Sequence, residues 1–302
     1  MLTPVLVALI ARAEAASCVC ARGSGGLPTA EPLRAWAGLV GLDYGLALTG
    51  DMDAWTGAKV VDLHGDSMAG MYMPPHLSHN ASVTATLGLP AAFAVSATLP
   101  YQAVVHLGES QMPGDVDLNA LGDADVGLRW SHRAKVPFFG GGATLTLPSG
   151  VVSTDGVSTG RGAVGATANA FVGARVHPKL ALVVQASGAG GFGPDPSGYV
   201  VAPTASLLAG AKWWTRENGD LNLSLYVAER WSGLDRKDDL IYENTGYLIT
   251  DLAVAANWTF WKAGNRSASL SARVQAPVYQ VVGDPGYAEN VGGGLGFGVV
   301  AF

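Results

Sequence analysis

Cysteine is almost missing from this chain, with only Cys18 and Cys20 among 302 residues. A disulfide framework is therefore excluded for everything beyond residue 20. Charge is scarce too, at 14% of residues, against ~25% in an ordinary soluble domain. Lysine and arginine form no cluster and the net charge is −6, which argues against a nucleic-acid partner. No apolar run reaches the ~18 residues that a membrane helix requires, so residence in a membrane would have to be through strands. Yet 49% of the residues are hydrophobic and the mean hydropathy is +0.26, too apolar for disorder.

What the chain has instead is alternation. Ser82-Val83-Thr84-Ala85-Thr86-Leu87 turns at Gly88 to Ala91 into Phe93-Ala94-Val95-Ser96-Ala97-Thr98-Leu99-Pro100-Tyr101, and the pattern recurs to the C-terminus. One face carries Val, Leu, Phe and Ala, and the other Ser, Thr, Asn, Arg and Asp. Twelve such segments are expected, over residues 40–48, 82–87, 93–101, 124–131, 138–147, 163–176, 180–188, 202–215, 221–231, 247–261, 267–279 and 291–302. Short connections such as Glu217-Asn218-Gly219 and Ala263-Gly264-Asn265 alternate with long ones. Nothing else in the chain can cover so many apolar faces, but lipid can. The pattern predicts an all-β fold, a transmembrane antiparallel up-and-down β-barrel of the bacterial outer membrane. Short turns then face the periplasm and long loops face outward, with outer-membrane lipid around the wall.

Aromatic residues gather where such a barrel meets its interfaces: Trp130, Phe139, Trp213, Phe260 and Trp261 towards the short turns, Tyr101, Trp231, Tyr247 and Tyr279 towards the loops. The last residue, Phe302, resembles the terminal aromatic that such barrels present to the barrel assembly machinery. Gly294, Gly296 and Gly298 occupy the alternate positions before it, and a bulge near Val300 would bring Leu295, Phe297 and Val299 into that phase.

Residues 1–17 read as a signal peptide, with the apolar stretch Val5 to Ala11 followed by small residues. Residues 18–38 form a periplasmic segment in which Cys18 and Cys20 could close a small disulfide, hold a thiophilic metal or meet a periplasmic partner. Residues 39–302 are the barrel.

Gly122-Asp123-Ala124-Asp125-Val126-Gly127-Leu128-Arg129-Trp130 is followed by a strand ending Leu147-Pro148-Ser149-Gly150, and then by Ser158-Thr159-Gly160. With Leu99-Pro100-Tyr101 before it, this stretch resembles the outer-membrane transporter-like family associated with the meta pathway of phenol degradation. The likeness spans about residues 77–190. It implies a barrel with a transport role and brings no catalytic residues with it.

Charged residues on the polar phase are the candidates for lumen selectivity: Asp125, Arg129, Arg175, Lys212, Arg230, Asp251 and Arg273, together with Asn169, Gln185, Asn222, Asn257 and Gln275. Five cations against two anions favour anionic or polarisable solutes in an open pore. The same side chains, paired across strands, could instead plug a narrow barrel. The expected function is an outer-membrane channel for passive uptake or export of small solutes, anionic or aromatic. The alternative is a closed structural or partner-binding barrel.

Every methionine after the first lies in the first two long loops: Met52, Met68, Met71, Met73 and Met112. With His76 and His79, the middle three offer thioether and imidazole ligands that suit copper; packing of a lid over the barrel mouth would use the same residues. No cofactor is called for. Enzyme activity is not expected, since His132 and His177 fall at the turn side, away from the loop-side position that outer-membrane lipid hydrolases use. Asp235, Asp238, Asp239 and Glu243 read as a solvated acidic loop.

Overall fold

The structure is a computed structural model that describes residues 33, 35–50, 76–106, 118–132, 137–150, 162–196, 198–215, 220–237, 240–242, 246–282 and 288–301. Among them the strands are β1 (Gly38–Gly50), β2 (His76–Gly88), β3 (Phe93–His106), β4 (Leu118–Leu121), β5 (Ala124–His132), β6 (Phe138–Leu147), β7 (Gly165–His177) and β8 (Leu180–Gly191). There follow β9 (Tyr199–Val200), β10 (Thr204–Trp214), β11 (Leu221–Ser232), β12 (Asp235–Lys237), β13 (Leu240–Tyr242), β14 (Tyr247–Ala263), β15 (Arg266–Val282) and β16 (Ala288–Ala301).

Twelve of these close on themselves. The ladder runs β1, β2, β3, β5, β6, β7, β8, β10, β11, β14, β15 and β16, and returns to β1 through the pairing of Gly38 with Ala301. Every pairing is antiparallel, so no strand edge of the ring is left open, which is the condition for strands to sit in lipid. β4 continues β5 beyond a break at Gly122–Asp123: β3 pairs Thr98 with Asp125 and then Tyr101 with Leu121, so one extra residue bulges from the wall.

The outward phase is the apolar one. Val40, Leu42, Leu99, Val126, Leu128, Val172, Leu182, Leu225, Val254, Val274 and Leu295 are exposed on it. Exposure of this much aliphatic surface is destabilising in water and favourable in hydrocarbon. Aromatic rings bound the belt at the turn end, where Trp130 stacks on His132 and meets Phe139 edge-on, and Trp258, Phe260 and Phe297 form a second group. Trp231 and Tyr279 are exposed towards the loop end. Tyr247 departs from the expected girdle: it lies on the inward phase with Ile249 and Asp251 and lines the lumen.

The short connections and the first and last strand ends share one side of the barrel. Gly264, at φ +63°, supplies the left-handed residue of the β14–β15 turn. On the loop side β9, β12 and β13 make a separate three-stranded sheet. Residue 302 lies outside the described residues. β16 stays in register with β1 from Ala301 to Val291, and its irregularity falls between Val291 and Glu289. The bulge expected near Val300 is therefore at the other end of the strand, and Leu295 and Phe297 reach lipid without it.

Candidate functional site

The site to consider is the lumen. Alternation sends one side chain in two inward, and what fills the interior differs between the two ends.

Towards the turns the interior is packed. Val183, Leu208, Tyr226, Ala253 and Ala255 form a buried cluster, with Phe138 and Ala228 against it. The rings are accommodated by glycine. Phe138 faces Gly173, Phe171 faces Gly140 and Tyr226 faces Gly210 across the ladder. A Cβ at Gly173 would collide with the Phe138 ring, and one at Gly140 would stand 2.7 Å from the ring of Phe171. An aromatic ring laid over a glycine on the neighbouring strand restores the side-chain contact that glycine lacks. Cations complete the packing: the Arg129 guanidinium lies 5.4 Å from the Phe171 ring centre, and Arg175 lies 4.9 Å from that of Trp214, with the buried Lys212 at 6.0 Å. Such contacts are worth about 0.5–2 kcal/mol, more as they are desolvated.

Towards the loops the interior opens. A chamber of about 180 Å³, open to solvent, is lined by β1, β2, β3, β8, β10, β11, β14, β15 and β16. Its walls carry Asp43, Asn80, Gln102, Ser187, Ser206, Arg230, Tyr247, Asp251, Arg273 and Gln275. Leu208 and Tyr226 belong both to this lining and to the buried cluster, so the cluster marks where the chamber ends. On β16 the inward positions are Gly292, Gly294, Gly296 and Gly298, which leave that wall without side chains.

Of the seven residues expected on the polar phase, Asp125, Lys212 and Asp251 are buried, and Arg230, Asp251 and Arg273 line the chamber. Arg230 and Asp251 meet at 2.7 Å across β11 and β14, with the Asp251 carboxylate almost fully buried. Asp125 accepts a hydrogen bond of 2.6 Å from Thr146 Oγ1. The seven do not form one site: Arg129, Arg175 and Lys212 stand among the rings of the packed half, whereas Arg230, Asp251 and Arg273 line the chamber. Sequence reading missed Asp43, which sits on the polar phase of β1 and raises the inward anions to three. The signal was present in the alternation of Leu42 and Tyr44 around it.

The soft-metal candidates are placed only in part. Met52, Met68, Met71, Met73 and Met112 lie outside the described residues, as do Cys18 and Cys20. His76 opens β2, paired with His106. His79 is on the outward phase, with its Nδ1 2.6 Å from the Tyr44 hydroxyl.

Two loop-side constellations are structural. The residues that carry the family resemblance converge on the bulge: the Gly122 N–H donates to the Pro100 carbonyl, the Ala124 N–H to Ser149 Oγ, and the Gly150 N–H to Asp123 Oδ1. Asp235 was expected in a solvated acidic loop and is buried instead. It accepts hydrogen bonds from the Tyr199 hydroxyl and the Ala202 N–H, at 2.5 and 2.6 Å, tying β12 to β9. Asp238, Asp239 and residues 243–245 are outside the described residues.

No protein-family model matches the sequence, and no curated protein matches it. Among solved structures the chain is similar to the COG4313 outer membrane channel from Pseudomonas putida F1, at 16% identity and a TM-score of 0.72, over 90% of this chain and 97% of that one. The KdgM porin in complex with disordered oligogalacturonate (9% identity, TM-score 0.47, 87% and 99% covered) and the NanC porin (10%, 0.47, 85% and 98%) are further off. The first of these likenesses shows the fold. With a closed twelve-stranded ring, an apolar belt and aromatic girdles, the chain is a β-barrel of the bacterial outer membrane.

Proposed function

We propose that this barrel is a channel that lets small solutes cross the outer membrane by passive diffusion, entering from the loop side. The observation that carries the reading is the solvent-continuous chamber inside a closed wall, where amide, hydroxyl and charged groups such as Asn80, Gln102, Ser187, Arg230 and Gln275 stand among small apolar residues and glycine backbone. A structural barrel gains nothing from an unfilled interior, because empty volume forfeits packing. Below the chamber, solutes meet the rings of Tyr226, Phe171 and Phe138 and the cations Arg129, Lys212 and Arg175. Among the described residues, five inward cations against three anions favour anionic or polarisable solutes. The resemblance to the meta-pathway family brings aromatic compounds into the candidate class.

Purified protein in a planar bilayer should show discrete ion-conducting steps. Replacing Arg129, Arg175 and Arg273 together by Ser should then move the reversal potential in a salt gradient towards cation preference. Several β-structured preparations without any conductance would make the closed structural barrel the better reading. An unmoved potential through a conducting pore would place these three side chains outside the permeation path.

A further inference from the structure

Resting on the channel reading, we infer that Arg273 anchors a binding subsite in the loop-side chamber for a monoanionic carboxylate. Of the five inward cations, three stand in the packed half and do not line the chamber. Arg230 does line it, but its charge is held by Asp251 at 2.7 Å. Arg273 lines it as well, and no carboxylate among the described residues pairs with it. An uncompensated guanidinium facing a water-filled chamber offers a planar fork of donors that matches both oxygens of a carboxylate.

The wall beside it is shaped for close approach. Arg273 pairs with Gly294, and Gly294 pairs on its other side with Gly45, so two adjacent strands present bare backbone at this level. A Cβ on Gly294 would lie 3.2 Å from the Tyr44 carbonyl oxygen and 4.0 Å from Arg273 Nη2, so the guanidinium borders this shelf in van der Waals range. One rung towards the loops, Gln275 pairs with Gly292, its amide 3.6 Å from where that glycine's Cβ would be. It is a second hydrogen-bonding group on the same shelf.

One rung the other way, about 7 Å along the strand, the carboxylate of Asp43 leans over Gly296. A fixed negative charge one rung away repels a doubly charged ligand docked on Arg273 about twice as strongly as a singly charged one. The subsite therefore selects a carboxylate over a dianion such as phosphate.

The test uses sodium benzoate as a blocker of potassium chloride current through the purified full-length barrel. Benzoate added on the loop side should interrupt the current, and phosphate at equal concentration should do so less. Arg273→Gln should raise the half-blocking benzoate concentration about ten-fold, as loss of a charge-assisted hydrogen-bond pair implies. Arg273→Lys, which keeps charge but not the fork, should raise it less. Equal block of the parent and Arg273→Gln would overturn the subsite while leaving the channel intact. A parent that carries no current would sink the channel reading, and calorimetric titration of benzoate into the micellar protein then decides the subsite. Heat with the parent and none with folded Arg273→Gln supports it; equal heats overturn it.

Discussion

Glycine faces inward on two walls of this lumen, at Gly140, Gly173 and Gly210 on β6, β7 and β10, and at Gly292, Gly294 and Gly296 on β16, and it meets opposite partners. On the first wall each glycine pairs with an aromatic residue, Phe171, Phe138 or Tyr226, whose ring fills the space above it. On the second, Gly292 and Gly294 pair with Gln275 and Arg273 on one side and with Ala47 and Gly45 on the other, which leave the backbone bare to the chamber, while Gly296 is covered by Ser271 Oγ and Asp43 Oδ1. The same residue type thus closes the barrel at one place and opens it at another. What a glycine does in a strand is decided by the residue across the ladder.

The contrast should be sharpest in stability. At Gly210 a Cβ would overlap the Leu225 carbonyl oxygen and the Tyr226 side chain, whereas at Gly292 the nearest atom would be Gln275 Cγ at 3.4 Å. Gly210→Ala is therefore expected to cost about 1–3 kcal/mol through forced backbone shifts, and Gly292→Ala very little. The temperature at which the compact, unheated band is lost on denaturing electrophoresis reads this directly. If both variants melt with the parent, the two walls are mechanically equivalent and the comparison fails.

Removing the rings tests the other half of the contrast. Phe138→Ala with Phe171→Ala takes away two side chains that fill the packed half, and it bares Gly173 and Gly140 as Gly292 and Gly294 are bare. Single-channel conductance should rise clearly above that of the parent, because pore size governs conduction once the wall is closed. Unchanged conductance would mean that the narrowest point lies elsewhere. The barrel itself should survive, since the lost contacts are on the lumen side and the ladder hydrogen bonds remain.

Most of the wall could be read from sequence because two solvents impose it: lipid on one face and polar interior on the other enforce strict alternation, and the expected segment 138–147 is β6 itself. Reading failed where that constraint lapses. β2 begins at His76 rather than residue 82, since at the interface His79 can hydrogen-bond Tyr44 and need not be apolar. Tyr247 satisfies the composition of a girdle but its phase points it inward. For the lumen, alternation supplied the inward set but not its partners. Pairing of Arg230 with Asp251, or of Phe171 with Gly140, depends on strand register, which no local pattern encodes. Asp235 was misread for a similar reason, since its partners Tyr199 and Ala202 are 36 and 33 residues away.

The smallest expected effect is also the most diagnostic for the bare wall. Gly294→Ala adds one methyl group 3.2 Å from the Tyr44 carbonyl oxygen, a contact that a backbone shift of a few tenths of an ångström relieves, and 4.0 Å from Arg273 Nη2, which is ordinary van der Waals contact. Melting should be almost unchanged, within about 0.5 kcal/mol of the parent, as for substitutions away from tightly packed features. Permeation should nonetheless respond: the methyl narrows the chamber beside the guanidinium, so conductance should fall slightly while the reversal potential stays close to that of the parent. A Gly294→Ala barrel destabilised as much as Gly210→Ala would mean that β16 needs glycine for packing against β1, and the bare wall would then be a structural feature rather than part of the path.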